Sequence, residues 1–410
     1  MTVIRRAAIA LLACMAAFSD EPMGVPTFYG EVGRILASKC IGCHRVGQPG
    51  RFPLDTWEQA RLFAREIRLA VGMRTMPPWP AVPGFGHFSN DRSLSVAQIE
   101  TLIRWTDTGT QKGSGTGRLT PSYSDDPATF GKELSPAILY EVPANGDVET
   151  RCFSYQGFAT NIWVRGINVI PGDRRIVLHV RVFADSDGSA ERMDRADPEP
   201  GFRCSNDPAG YLKRRRLGDW APATPLDLTP LDVGRELKAG TSLLVEIRYA
   251  RLGTPGKDAS RVQLLTLPKR PPRLLRTMSI ASEALTIPAD TWSFRSSTDW
   301  IAPAHIRLHA LVPYLSDLGT DFKAVVKSSD GAKVPLVWIH DYNVNWQVSY
   351  LLDEPMMIRS GSRIEIHTEF DNFETNPRTR RGQSADGRYG LMLEYEEAQS
   401  IRERTLSNSP

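Results

Sequence analysis

Two cysteines and a histidine stand close together in "ASKCIGCHRV", residues 37 to 46. Cys40, Cys43 and His44 could close a disulfide, supply half of a zinc site, or anchor a haem. Zinc would need further Cys or His ligands at metal spacing, and the next cysteine in the chain is Cys152. The order Cys-x-x-Cys-His is also the attachment sequence for c-type haem: both sulfurs bond the porphyrin and the adjacent histidine reaches the iron. A second iron ligand is on offer in "RTMPPWPAVPGFGHF", residues 74 to 88, where Met76 precedes Pro77 and Pro78. Those prolines lack backbone donors and stiffen the loop, so the thioether can be aimed. A thioether opposite histidine suits an electron carrier of raised potential. Met73 is the alternative sulfur and His87 a competing nitrogen, and Met76 could instead pack in a core.

Helices must hold these groups. "TWEQARLFAREIRLAVGM", from Thr56, has apolar residues at helical spacing, with Thr56 and Gln59 as a capping box. "LSVAQIETLIRWTDTG", from Leu94, repeats the pattern with Ser95 and Gln98 as the box and Gly109 as the stop. Together they predict a small all-α cytochrome c domain over residues 26–112, with one haem c as its cofactor. Residues 113–134, rich in Gly, Ser, Thr and Pro, read as a linker. Beyond them, short alternating strands punctuated by Gly, Pro and Asp predict two all-β sandwich domains, 135–270 and 271–400, joined near "LPKRPPRLLR" at 267–276.

The chain opens with Arg5 and Arg6 and then an apolar run from Ala7 to Phe18, the form of a secretory signal over residues 1–19. "LLAC" offers a second reading, a lipoprotein signal with Cys14 as the lipid anchor; a buried N-terminal helix is the third. Export to the periplasm or beyond is therefore expected, with no transmembrane span. In an oxidising compartment Cys152 and Cys204, the remaining pair, are expected to form a disulfide, with two free buried thiols as the alternative. A net charge of +3 is small for 410 residues and implies no nucleic-acid partner. The basic run from Lys213 to Arg216 could dock an acidic partner or an anionic headgroup, or be a solvated loop.

Seven stretches, in order, carry a resemblance: "CIGCHRVGQPGRFPL", "RTMPPWPA", "GHFSNDRSLS", "IVLHVRVFAD", "GDWAPATP", "YNVNWQVSY" and "FDNFETNP". They resemble bacterial proteins that fuse a cytochrome c domain to a copper type II, ascorbate-dependent monooxygenase module. That module has the two-jelly-roll fold of peptidylglycine hydroxylase and dopamine β-monooxygenase. The resemblance implies jelly-roll sandwiches and a pair of copper sites, but most copper ligands are missing. Where the family has adjacent histidines, Leu178 precedes His179. At the His-x-His strand stand Arg248 and Ala250, at the next histidine pair Tyr314 and Ser316, and near the family's methionine Arg388, with Met392 close by. Type II copper needs several imidazoles, and a guanidinium repels it. His179 is then a remnant and copper is not expected.

Elsewhere, His305 and His309 share a strand face with Arg307, which reads as a solvated face, and His340 and His367 read as structural. Asp371 and Asn372 read as a turn. No catalytic residue is assigned. Two functions follow as expectations. One is an exported haem electron-transfer protein whose β module docks a redox partner. The other is an active copper monooxygenase fed by its own haem. A peroxidase would need an open iron site, which Met76 would close.

Overall fold

The computed structural model describes residues 24–122, 131–146, 148–204, 214–222, 226–343 and 347–398. The expected signal segment and Cys14 lie outside the described residues, as does Lys213. The chain is mostly β-sheet with few helices, and none of the described helices is long and apolar enough to cross a membrane.

The helices gather at the start. An irregular turn, Phe28–Val32, leads into α1 (Gly33–Lys39); α2 (Trp57–Leu62), α3 (Ala64–Gly72) and α4 (Val96–Asp107) follow. They close around Phe28, Leu36, Ile41, Val71, Leu102 and Trp105. The capping box at Ser95 is complete, whereas Thr56 only accepts from the Gln59 amide. Gly109 adopts φ +86°, and the Thr110 amide then bonds the Trp105 carbonyl at 2.9 Å, so α4 stops where the glycine predicts. The helix expected across 57–73 breaks at Phe63, whose ring stacks on Phe52 with centroids 4.0 Å apart.

The expected linker is not free. Leu119 enters the helical core and its amide bonds the Asp55 carbonyl at 2.7 Å; the Tyr29 hydroxyl donates to the Gly117 carbonyl at 2.8 Å. A Cβ on Gly115 would lie 2.4 Å from the Tyr29 ring. Its glycine content therefore serves close approach rather than flexibility. The other end of the stretch, Lys132–Leu134, is a strand paired with Arg261–Leu267.

Two β units follow. In the first, a five-stranded sheet centred on Ile162–Ile170 faces another in which Val177–Asp185 and Glu149–Tyr155 flank Ser242–Tyr249. Val164, Ile167 and Leu264 from one sheet pack against Val180, Val245 and Ile247 from the other. Ile162–Ile170 and Val177–Asp185 look like a hairpin in sequence, but the "PGD" turn between them carries the chain from one sheet to the other. The second unit pairs a four-stranded sheet holding Ile306–Leu315 and Tyr389–Glu397 with another holding Gly319–Lys327 and Arg363–Asn372. Its core includes Leu308, Leu311, Phe322, Ile366 and Leu391. Arg273–Leu274 pairs parallel with Val233–Gly234 of the first unit, so the join falls after Leu274, a few residues beyond the expected boundary.

The two β units meet over an apolar patch where Phe183, Phe202 and Leu244 touch Val312, Tyr314 and Met392. Beside it runs a buried ion network. Glu394 of the second unit accepts from Arg216 at 2.9 Å and from Arg235 at 2.7 Å, both of the first unit. Arg216 is 1% exposed and also bonds Asp219 at 3.0 Å, so this part of the basic run is an internal tie rather than a solvated loop.

Candidate functional site: the thiol–imidazole turn and the methionine loop

Cys40, Cys43 and His44 sit on one turn at the end of α1. The Cys43 and His44 amides both bond the Cys40 carbonyl, at 3.1 and 2.9 Å, which fixes all three side chains on a single loop of backbone. Gly50 passes directly beneath: a Cβ there would lie 2.6 Å from the Cys43 carbonyl oxygen and 2.8 Å from His44 Nδ1. His44 Nδ1 lies 3.0 Å from the Phe52 carbonyl oxygen. A carbonyl only accepts, so Nδ1 carries the proton and Nε2 keeps its lone pair. Phe52 is itself held by the stack on Phe63. Burial lowers the imidazole's pKa, which favours the neutral ring a metal requires. Burial also raises the pKa of both thiols; Cys40, with Cys43 beside it, is pushed up to about 12, so both stand protonated.

Cys40 and Cys43 are not joined to each other. Among the described residues, one group of three metal-ligating side chains lies close enough to share an ion: Cys152, Cys204 and Glu246. Its cysteines form the disulfide that joins Cys152, in the strand Glu149–Tyr155, to Cys204, just after the paired strand Phe202–Arg203. The zinc reading of the Cys40 turn therefore gains no further ligands among the described residues, whereas two thiols and a neutral imidazole on one turn fit covalent haem.

Met76 lies beyond the end of α3, its amide 3.4 Å from the Ala70 carbonyl oxygen. It lines a cavity of about 430 Å³ with Val71, Trp79, Leu94 and Ile99; His340, Asp341 and Asn343 of the second β unit line the same cavity. Met73 lines it too and is 71% exposed against 42% for Met76. Cys40, Cys43 and His44 are not among the lining residues. Cys40 packs against the apolar cluster containing Val71 and Leu94, which also line the Met76 cavity, but Met76 is not part of that cluster, and the two halves of the expected site are not brought into contact. His87 is exposed, and its carbonyl accepts from the Asp353 amide at 3.2 Å.

His179 lies in Val177–Asp185, directly opposite Arg248 in the register. Burial lowers its pKa to about 4; Asp219 opposes that, and Arg181, Arg248 and Arg216 reinforce it. Arg181 pairs with Glu246 and donates to Gln347 of the second unit at 3.0 Å. The other positions expected to correspond to copper ligands, Arg248, Ala250, Tyr314, Ser316 and Arg388, supply no histidine. Tyr314 and Met392 are buried in the apolar patch between the units, and the Arg388 amide donates to Ser316 Oγ at 3.1 Å.

The remaining histidines differ from the expectation in two respects. His305 lies before the strand Ile306–Leu315, where its Nδ1 accepts from the Ser360 amide at 2.9 Å. His309 and Arg307 share a face, but it is not solvated: both reach Glu396, each at 3.2 Å, and Glu396 is 3% exposed. Sequence could not show this, because Glu396 comes from a distant strand. His340 pairs with Asp321 at 3.1 Å and His367 lies 4.0 Å from Glu365. Asp371 and Asn372 are structural: the Asn372 amide nitrogen donates to the Ile287, Pro288 and Gln383 carbonyls.

No protein-family model and no curated protein matches the chain. Among solved structures it is similar to the major capsid protein P2 of bacteriophage PM2, at 12% identity over 66% of this chain and 98% of that one, TM-score 0.22. It is also similar to a putative secreted protein from Eubacterium rectale, at 9% identity over 64% and 74%, TM-score 0.21. PNGF-II matches at 9% identity over 64% and 66%, TM-score 0.26. Likenesses this weak bear on neither the fold nor the chemistry.

Proposed function

We propose that the chain is an exported c-type haem electron-transfer protein, with a cytochrome c unit at residues 26–112 joined to a monooxygenase-like module of two jelly-roll sandwiches that has lost its copper sites. The observation that carries this is the Cys40 turn, where the Phe52 carbonyl fixes the His44 tautomer and leaves Nε2 available. In this reading Cys40 and Cys43 would hold the porphyrin covalently through their sulfurs. His44 and Met76 hold the iron. Bound haem supplies one-electron transfer; the protein's part is to fix both ligands and to exclude water with the core around Val71, Leu94 and Trp105. The β module serves as a platform for the helical unit and for a redox partner in the periplasm.

Copper chemistry is disfavoured by the surroundings of His179. Its register partner is the guanidinium of Arg248 and no second imidazole stands at the positions expected to hold the metal with it, whereas type II copper needs several. Metal analysis of protein made with haem-attachment machinery separates the two functions. One iron and no copper per chain is expected, with no ascorbate-driven oxygen uptake beyond a haem-only control. Tight copper binding that disappears in His179→Ala overturns the proposal and favours the monooxygenase.

A further inference from the structure

The methionine loop does not belong to the helical unit alone. From Trp79 to Asn90 the chain is built into the second β unit. The Val82 amide bonds the Trp338 carbonyl at 2.7 Å, and the Ser89 amide bonds the Leu351 carbonyl at 2.9 Å. Ala81 and Phe88, 4% and 7% exposed, are members of that unit's core. Trp79 packs edge-on against Tyr350, centroids 5.1 Å apart. Asn90, 7% exposed, closes the seam as a strand would: its amide nitrogen donates to the Ser349 carbonyl at 2.8 Å, and its Oδ1 accepts from the Leu351 amide at 3.1 Å.

Met76 hangs between this seam and the end of α3. The span from Met76 to Ala81 contains Pro77, Pro78 and Pro80. Each proline fixes its own φ and drives the residue before it into extended backbone, so Met76, Pro77 and Trp79 are all restricted. A span so stiff passes the position of its docked end to the sulfur. On the haem reading above, we infer that the second β unit positions the iron ligand, with Phe88 and Asn90 as positioning residues that act through the loop and never touch the iron. The β module then does more than support the helical unit, because it holds Met76 on the metal and sets the ligation on which the carrier's potential depends.

Asn90→Ala and the pair Phe88→Ala/Asn90→Ala test this in the full-length haem protein. Hydrogen exchange at the Val82 and Ser89 amides reports whether the loop has left the β unit. The near-infrared sulfur-to-iron band and the midpoint potential report whether Met76 has left the iron. The expected result is unchanged covalent haem, faster exchange at both amides, a lower potential, and a sulfur-to-iron band that is weakened or lost. A full band and unchanged potential in a variant whose loop has been released overturn the inference. So does a loop that stays protected in both variants, since Phe88 and Asn90 then do not hold it. A wild type with no covalent haem overturns the haem reading, and this inference with it. A wild type with haem but no sulfur band removes only the Met76 assignment and this inference.

Discussion

His44 shows how much one backbone contact can decide. The Phe52 carbonyl settles which ring nitrogen is protonated, and the other is thereby free to ligate. Met76 carries the other half of the ligand assignment, and Met73, more exposed and in the same cavity, is its rival. Ferric protein with His/Met ligation shows a weak near-infrared sulfur-to-iron band. Met76→Ala is expected to abolish that band while Met73→Ala keeps it; the reverse pattern would transfer the role to Met73. That Cys40, Cys43 and His44 share one turn was legible in sequence, because they are near neighbours in the chain. The partner of His309 was not, because Glu396 reaches it from a strand 87 residues away.

At the scale of elements, local signals held where the structure answers them locally. The Ser95 box and the Gly109 stop bound α4 as expected, since both act within a turn of the residues they cap. The long helix through Phe63 breaks because that ring is claimed by Phe52, and the Gly-rich stretch after 112 is bound because Tyr29 and Asp55 meet it. Both outcomes depend on contacts that periodicity does not contain. The disulfide is the clearest element-level tie. Cys152 and Cys204 are 52 residues apart, and closing a loop of that length stabilises the fold by about 4 kcal/mol in the chain-entropy model. The double variant Cys152→Ser/Cys204→Ser is expected to lose a large part of that in a denaturant titration. A change below about 1 kcal/mol would show that the unfolded chain is not what the bridge restrains.

For the whole molecule, the β units are fastened by charge as well as by apolar contact. Burial raises the Glu394 carboxyl, but Arg235 and Arg216 outweigh it and hold its pKa below the usual carboxylate range. Its contribution is therefore fully present above the ordinary carboxylate pKa and is lost as pH falls through the lowered value. Glu394→Ala would remove the carboxylate that Arg216 and Arg235 share, leaving Arg216 with Asp219 and Asp227 and Arg235 with Asp227, and is expected to destabilise by less than the roughly 3–5 kcal/mol of a fully unpaired buried charge. Glu394→Gln should remove part of the wild type's acid sensitivity, measured as unfolding free energy between neutral pH and about pH 3. A neutral Glu394→Ala would mean that the tie is replaceable. The sequence made the two β units visible through their alternation but not their junction, because Arg216 looks like part of a solvated basic run until Glu394 meets it across the interface. The Met76 loop hid in the same way: its docking partners lie some 260 residues further along the chain.

Everything proposed for function rests on haem being bonded to Cys40 and Cys43. The most direct measurement is the intact mass of the denatured protein, made with haem-attachment machinery, alongside thiol labelling. The expected result is a chain heavier by one haem, with Cys40 and Cys43 both unreactive and the added mass lost in Cys40→Ser/Cys43→Ser. A chain at its bare mass, with both thiols labelled, would contradict it.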